Sequence, residues 1–142
     1  MIEMFPVSVH LLLFEQGKVL LMQRYNTGFE DGNYSLPAGK LEKSECVISA
    51  VCREAREELG IIITESDIQT VQVMNRKGND WNRIDYFFVA SMWTGEVINN
   101  EPNKCSDVQW FPIESLPENT IPYIKAALSY YKQGIHFTTY GW

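Results

Sequence analysis

The chain has no apolar run long enough to cross a bilayer. Its longest, such as Tyr86-Phe87-Phe88-Val89-Ala90, fall far short of the roughly 20 residues a spanning helix needs, so no membrane partner is expected. Met1-Ile2-Glu3-Met4 lacks the basic stretch of a signal peptide and leads directly into Pro6 and a strand pattern. Cysteine is scarce. Cys46, Cys52 and Cys105 are odd in number and form no CxxC or Cys/His spacing, which excludes a disulfide scaffold and a zinc site of ordinary spacing. Three reduced, mostly packed thiols in a cytoplasmic protein are expected. Basic charge is also short. Lys and Arg number 12 against 18 Asp and Glu, a formal net charge of −6. Polyanion affinity comes mainly from Lys and Arg, so no nucleic-acid polymer is expected as a partner. The two histidines, His10 and His136, suggest no nucleophilic triad; the first reads as a packed strand residue and the second as part of the tail.

What remains is an ordinary globular composition, 45% apolar and 21% charged, over 142 residues. That length suits one domain with a folded surface of roughly 7,500 Å². Val7, Val9, Leu11 and Leu13 alternate with Ser8, His10 and Leu12, the period of a strand. Gln16-Gly17-Lys18 turns the chain into a second strand over Val19–Gln23. Residues 25–38, with Gly28, Gly32, Asn33 and Pro37, read as an irregular loop. Ser44 is placed to cap a helix over Glu45–Leu59 that Gly60 ends. Further strands are expected at Ile61–Ile63, Ile68–Met74, Ile84–Trp93 and Val108–Phe111. Pro122 suits the first turn of a second helix reaching about Gln133. Strands interleaved with two helices imply an α/β fold, a mixed sheet covered on both faces in three layers.

The first helix carries charge where core residues belong. Each residue advances about 100° around a helix, so Val47, Ile48, Ala50, Val51, Ala55 and Leu59 form one apolar arc. Glu54, Glu57 and Glu58 fall within roughly 100° of one another on its margin, whereas Arg53 and Arg56 lie opposite. Like charges on adjacent turns repel, and half-buried carboxylates lose hydration. Two arrangements relieve this. Arg53 can pair with Glu57 at i, i+4 while Arg56 serves another carboxylate, or hard divalent cations can bind the oxygens, as at phosphate-processing sites.

The wider spacing discriminates between them. Gly39, Glu45, Arg53-Glu54-Ala55-Arg56-Glu57-Glu58-Leu59-Gly60 and Ile61 stand as G-x5-E-x7-R-E-U-x-E-E-x-G-U, with U a bulky aliphatic. This resembles the Nudix box, matching all seven fixed letters; a chance match has odds on the order of one in a million at average residue frequencies. Ala55 departs at one U position and Ile61 conforms. The resemblance implies a Nudix α/β/α sandwich and a MutT-type hydrolase cleaving the pyrophosphate bond of a small nucleoside diphosphate-linked substrate. It implies Glu54, Glu57 and Glu58 as ligands of Mg²⁺ (or Mn²⁺), with the Ala38 carbonyl as a backbone ligand and Arg53 and Glu45 orienting the carboxylates. Glu101 is similar in position to the loop acid of many MutT-type members, a metal ligand or proton acceptor, with Glu96 and Asp107 as rivals. Arg24 sits where relatives often place a phosphate-contacting base.

Substrate identity is less legible. Asn75-Arg76-Lys77-Gly78 occupies the neighbourhood in which relatives specific for ADP-ribose or diadenosine polyphosphates carry a proline or a tyrosine, and holds neither. By elimination a (deoxy)nucleoside triphosphate, cleaved to a monophosphate and pyrophosphate, is the expected substrate. Trp81, Tyr86, Phe88 and Trp110 are candidates to stack on its base, and Asn119 with Thr120 to read the base edge. The alternatives are a non-hydrolytic nucleotide-binding or sensor module, which would ordinarily lack a motif glutamate, and an isopentenyl-diphosphate isomerase. The tail after Gly134 carries Phe137, Tyr140 and Trp142, too apolar for a free end. It is expected to fold back on its own core or to join a second copy in a homodimer.

Overall fold

The computed structural model describes residues 1–142. Eight strands and two helices follow the chain as β1 (Val7–Glu15), β2 (Lys18–Arg24), β3 (Tyr34–Ser35), β4 (Ala38–Lys40), α1 (Val47–Leu59), β5 (Gln69–Lys77), β6 (Asn82–Ala90), β7 (Cys105–Pro112), α2 (Pro122–Lys132) and β8 (Phe137–Tyr140). The sheet is mixed, with β1 parallel to β6, β5 parallel to β8, and the other pairs antiparallel. Alternation along β1 builds both halves of the core. Val9, Leu11 and Leu13 pack with Ala50, Val51, Ala55 and Leu59 of α1, whereas Leu12 packs on the other side with Ile124, Ala127 and Leu128 of α2. Ala55 is fully buried, so the small residue of the motif sits where α1 approaches the sheet. No helix is long and apolar enough to cross a membrane.

One feature of the pairing makes room for a site. β1 and β2 meet only at their hairpin end, Phe14 with Val19 and Glu15 with Lys18. Beyond it β1 takes β4 as its neighbour along Ser8–His10, whereas β2 takes β3 and β7. The two strands splay, and the sheet opens between them.

Several expected boundaries move. The helix starts at Val47, capped by the Cys46 thiol accepting from the Ser49 amide at 3.5 Å, not at Ser44. Glu45 is drawn away from the helical path by Arg53, as described below. Cys46 is accordingly exposed, Cys52 half-buried and Cys105 buried, and all three are free. Ile61–Ile63 is no strand, because only Ile62 finds a partner, Thr94, in an isolated bridge. β5 runs on to Lys77 because its ladder with β6 continues to Asn82. β6 stops at Ala90, where its ladders with β1 and β5 end as Phe14 and Glu15 of β1 pair with β2, and Met92 beyond it is exposed. The loop over residues 25–38 contains β3 and ends where β4 begins, and both strands are too short to show a period. The tail folds back as β8 along β5 of its own chain, with Tyr140 against the core and Phe137 outward.

Candidate active site

The cavity between the splayed strands has a volume of about 830 Å³ and reaches from α1 to the α2 side of the sheet. At its outer rim stand Arg53, Glu54, Glu57 and Glu58 from α1, Ala38 and Gly39 from β4, and Glu101 from the loop after β6.

Arg53 organises the rim. Its Nε and Nη2 donate to the two oxygens of Glu45 at 2.9 and 2.7 Å, a fork-to-carboxylate pair. Its Nη1 donates to Glu54 at 2.7 Å and to Glu57 at 3.1 Å, and Nη2 also reaches the Lys40 carbonyl at 3.1 Å. The Arg53 hydrogen bonds hold Glu45 below the usual carboxylate range. Arg53 and Glu45 are both mostly enclosed, and Glu45 stands behind the rim, bonded to Arg53, rather than in the cavity. The expected i, i+4 pair with Glu57 is present, whereas Arg56 has no carboxylate within 4 Å. Ion pairing therefore neutralises part of the cluster and leaves Glu58 out.

Glu58 is the group under electrostatic load. Its stem is half-buried and its carboxyl group enclosed; burial first, then the charge of neighbouring Glu54, raises its pKa well above the ordinary value. The Ala38 amide, donating to Glu58 Oε2 at 3.2 Å, opposes that shift, and the charge of Glu101 adds to it. Glu54 is raised too, by burial, against the pull of Arg53. Gly39 lies directly against the Glu54 carboxylate, and a Cβ there would overlap its oxygens. That contact accounts for the glycine at the first motif position.

The end of α1 positions the loop acid. Gly60 adopts the left-handed conformation, φ 70°, and donates its amide to the Arg56 carbonyl. The carbonyls left over at Glu57, Glu58 and Leu59 accept from Asn100 Nδ2, the Asn100 amide and the Ile98 amide, each at 3.0 Å. The loop is thereby tied to the helix end one residue before Glu101, which faces the cavity. Its rivals do not. Glu96 is exposed outside the cavity, and Asp107 accepts from the Tyr34 hydroxyl at 2.5 Å.

Of the substrate-binding candidates, Arg24 and Trp81 line the cavity. Arg24 follows a register shift in the β2–β7 ladder and donates to the Phe29 carbonyl at 2.7 Å and to Thr27 Oγ1 at 3.1 Å, bracing its own loop. Tyr86 does not line it, because the even-numbered residues of β6 turn toward α1; Tyr86 packs there, stacked on the fully buried Phe88. Trp110 stacks on Trp93 outside the main cavity. Asn119 donates to the Gly32 carbonyl at 2.8 Å and fastens the 25–33 loop, while Thr120 bonds the Pro117 carbonyl. The sequence reading missed Ser8, His10, Arg76, Arg83 and Tyr123, which line the inner end. For Ser8 and His10 the signal was present in the alternation of β1, which sends polar side chains to an otherwise apolar face; Arg76 of β5, Arg83 of β6 and Tyr123 of α2 join them only through the pairing of the strands and the packing of α2. His10 bonds the Tyr123 hydroxyl at 3.0 Å, and burial lowers its pKa to about 4.

As the side chains stand, no three His, Cys, Asp or Glu groups converge closely enough to hold a metal ion, since Arg53 draws Glu54 and Glu57 toward its own nitrogens. The donor set is nevertheless one of hard oxygens with an enclosed carboxyl group lacking a cationic partner, which suits a divalent cation.

The model of the NUDIX domain family matches residues 4–131. The chain is 28% identical over 137 residues to the human 8-oxo-dGDP phosphatase NUDT18, covering 92% of this chain and 41% of that protein. It is 27% identical over 124 residues to an ADP-ribose pyrophosphatase of Methanocaldococcus jannaschii, covering 87% of this chain and 72% of that protein. The crystal structure of a MutT NUDIX hydrolase from Burkholderia pseudomallei superposes with a TM-score of 0.81 at 29% identity, covering 89% of this chain and 98% of that one. The chain thus spans less than half the length of the human relative.

Proposed function

Since the chain belongs to the Nudix family, we propose that it is a divalent-metal-dependent hydrolase that cleaves the phosphoric anhydride bond of a nucleoside diphosphate-linked substrate. A (deoxy)nucleoside triphosphate, cleaved to a monophosphate and pyrophosphate, is the simplest member of that class. One observation carries the reading: the motif carboxylates Glu54, Glu57 and Glu58 stand at the rim of a nucleotide-sized cavity and face it together with Glu101.

Mg²⁺ or Mn²⁺, held by Glu54, Glu57 and Glu58 with the Ala38 carbonyl and Glu101 as further donors, would neutralise phosphate charge and lower the pKa of the attacking water. The protein's part is positioning. Arg53, clamped to Glu45, holds Glu54 and Glu57 in orientation and keeps three like charges on one helix tolerable. Glu101, exposed to the cavity, is the group to accept the proton of the attacking water. Arg24 and Lys104, both lining the cavity, are among the cations available to the scissile phosphates.

The test is incubation with a panel of nucleotides and Mg²⁺, with products resolved by chromatography. The panel includes nucleoside triphosphates, 8-oxo-dGDP and ADP-ribose, the last two because of the names of the relatives, together with nucleoside diphosphate compounds that carry a further 2′- or 3′-phosphate. Hydrolysis of at least one, abolished by chelator, is expected. No turnover of any would refute the reading in favour of a binding or sensor module.

A further inference from the structure

The inner end of the cavity carries a chemistry that hydrolysis at α1 leaves unused. On the α2 side of the sheet, Ser8 stands opposite Asp85 and Arg76 opposite Arg83. Two arginines directly opposed across an antiparallel pair repel one another, and such a pair is ordinarily unfavourable. Only one carboxylate, Asp85, lies within 4 Å of either. Asp85 is fully buried; it accepts from Arg76 Nε at 2.7 Å, while Arg83 Nε stands 3.8 Å from its other oxygen. Both that Arg83 nitrogen and that Asp85 oxygen are buried without a hydrogen-bond partner. His10, lowered by burial to about 4, is neutral near pH 7 and alters no charge. Two guanidinium groups thus share one carboxylate, leaving one positive charge uncompensated in a confined site.

The two arginines are not equivalent. Arg76 is nine-tenths buried and lies over the Tyr123 ring at 3.6 Å and the Trp81 ring at 5.0 Å, so its charge is committed to Asp85 and to two aromatic faces. Arg83 stands farther from the Trp81 ring, at 5.9 Å, faces the cavity and makes one hydrogen bond, from Nη2 to the Ser8 hydroxyl oxygen at 2.9 Å. The Ser8 hydroxyl, accepting there, keeps its own proton to donate. A guanidinium with free donors beside a hydroxyl matches the several acceptor oxygens of a phosphate.

We propose that Arg83 and Ser8 form a subsite for a phosphomonoester on the part of the substrate that is not cleaved. This rests on the hydrolase reading and narrows it, from a plain triphosphate to a nucleotide carrying an additional phosphate away from the scissile bond.

Calorimetric titration without divalent metal tests this with AMP, adenosine 2′,5′-bisphosphate and adenosine 3′,5′-bisphosphate, none of which contains a pyrophosphate bond. At least one bisphosphate should bind about ten-fold tighter than AMP, the scale of one charge-assisted contact. Arg83→Gln should erase that preference while leaving AMP within about two-fold and melting within about 2 °C of wild type, since the Arg76–Asp85 pair remains. Arg56→Gln, exposed on α1 and outside the cavity, should leave the preference intact. Should Arg83→Gln not fold, Ser8→Ala carries the same test. Equal binding of AMP and both bisphosphates overturns the proposal, as does a preference that survives Arg83→Gln or Ser8→Ala, or one lost in Arg56→Gln. Failure of the hydrolysis panel would refute the enzyme and leave this binding result standing.

Discussion

A lysine at position 53 could not hold Glu45, Glu54 and Glu57 as Arg53 does, because one ammonium lacks the planar fork that meets both Glu45 oxygens. Arg53→Lys should lower kcat/KM by about 10–100-fold with little change in melting, the range seen when groups that orient metal ligands are removed. Glu58→Gln should act in opposite directions on stability and activity. The folded protein raises the pKa of Glu58, so this group stabilises the fold below its unfolded value of 4.5 and loses that contribution as pH rises through the folded value. A neutral amide removes the penalty, so metal-free Glu58→Gln should melt about 3 °C higher than wild type at pH 7, yet lose turnover by at least about 100-fold. His10 has the other sign. Its folded pKa of about 4 lies below the ordinary 6.5, so its contribution is intact above 6.5 and lost as pH falls through 4. His10→Gln should flatten the acid side of the stability profile over that interval, read by chemical denaturation at each pH. The residues of the box were legible in the sequence because their chemistry demands fixed spacing. Arg76 and Arg83 were not, because their meaning depends on a cross-strand register that places them opposite one another.

At the scale of elements, the strongly periodic ones were legible. β1, β2, α1 and α2 follow from alternation, from a helical arc and from Gly60 and Pro122. The misses share a cause, since pairing partners rather than local pattern fix where a strand ends. Ile61–Ile63 has the composition of a strand and only one bridge, whereas the polar Asn75–Lys77 continues β5 because β6 lies beside it. The cap of α1 shows the same logic, as Glu45 is held by Arg53 and the helix begins after Cys46. The tail gives a prediction here. β8 pairs with β5, Thr138 donates to buried Gln72 at 3.0 Å, and Trp142 Nε1 reaches the Asn75 carbonyl at 3.2 Å. Truncation after Gly134 should lower the melting temperature by at least about 4 °C, since it strips a strand and leaves a buried acceptor unpaired, and should leave the elution volume unchanged. A shift of the truncated chain alone from dimer to monomer would show that the tail joins two copies.

At the scale of the whole molecule, the splay of β1 from β2 brings the carboxylate rim and the guanidinium end into one cavity. The sequence shows the hairpin and hides the splay, which follows from β4 and β7 claiming the strand edges further along. A net charge of −6 would repel a polyphosphate unless cations mediate at the rim, so metal and fold should be linked. Mg²⁺ at millimolar concentration should raise the melting temperature, and the increment should grow as pH rises above the ordinary carboxylate range, because burial raises the pKa of Glu58 and protons compete there with the metal. The central claim is that the charge crowded on α1 exists to hold a divalent cation. Direct titration with Mn²⁺, followed by the electron paramagnetic resonance of the free ion, tests it without reference to any substrate. The wild-type protein should bind Mn²⁺, and Glu57→Gln and Glu58→Gln should each weaken that binding by at least about ten-fold. Equal Mn²⁺ affinity in the wild type and both variants would contradict the account.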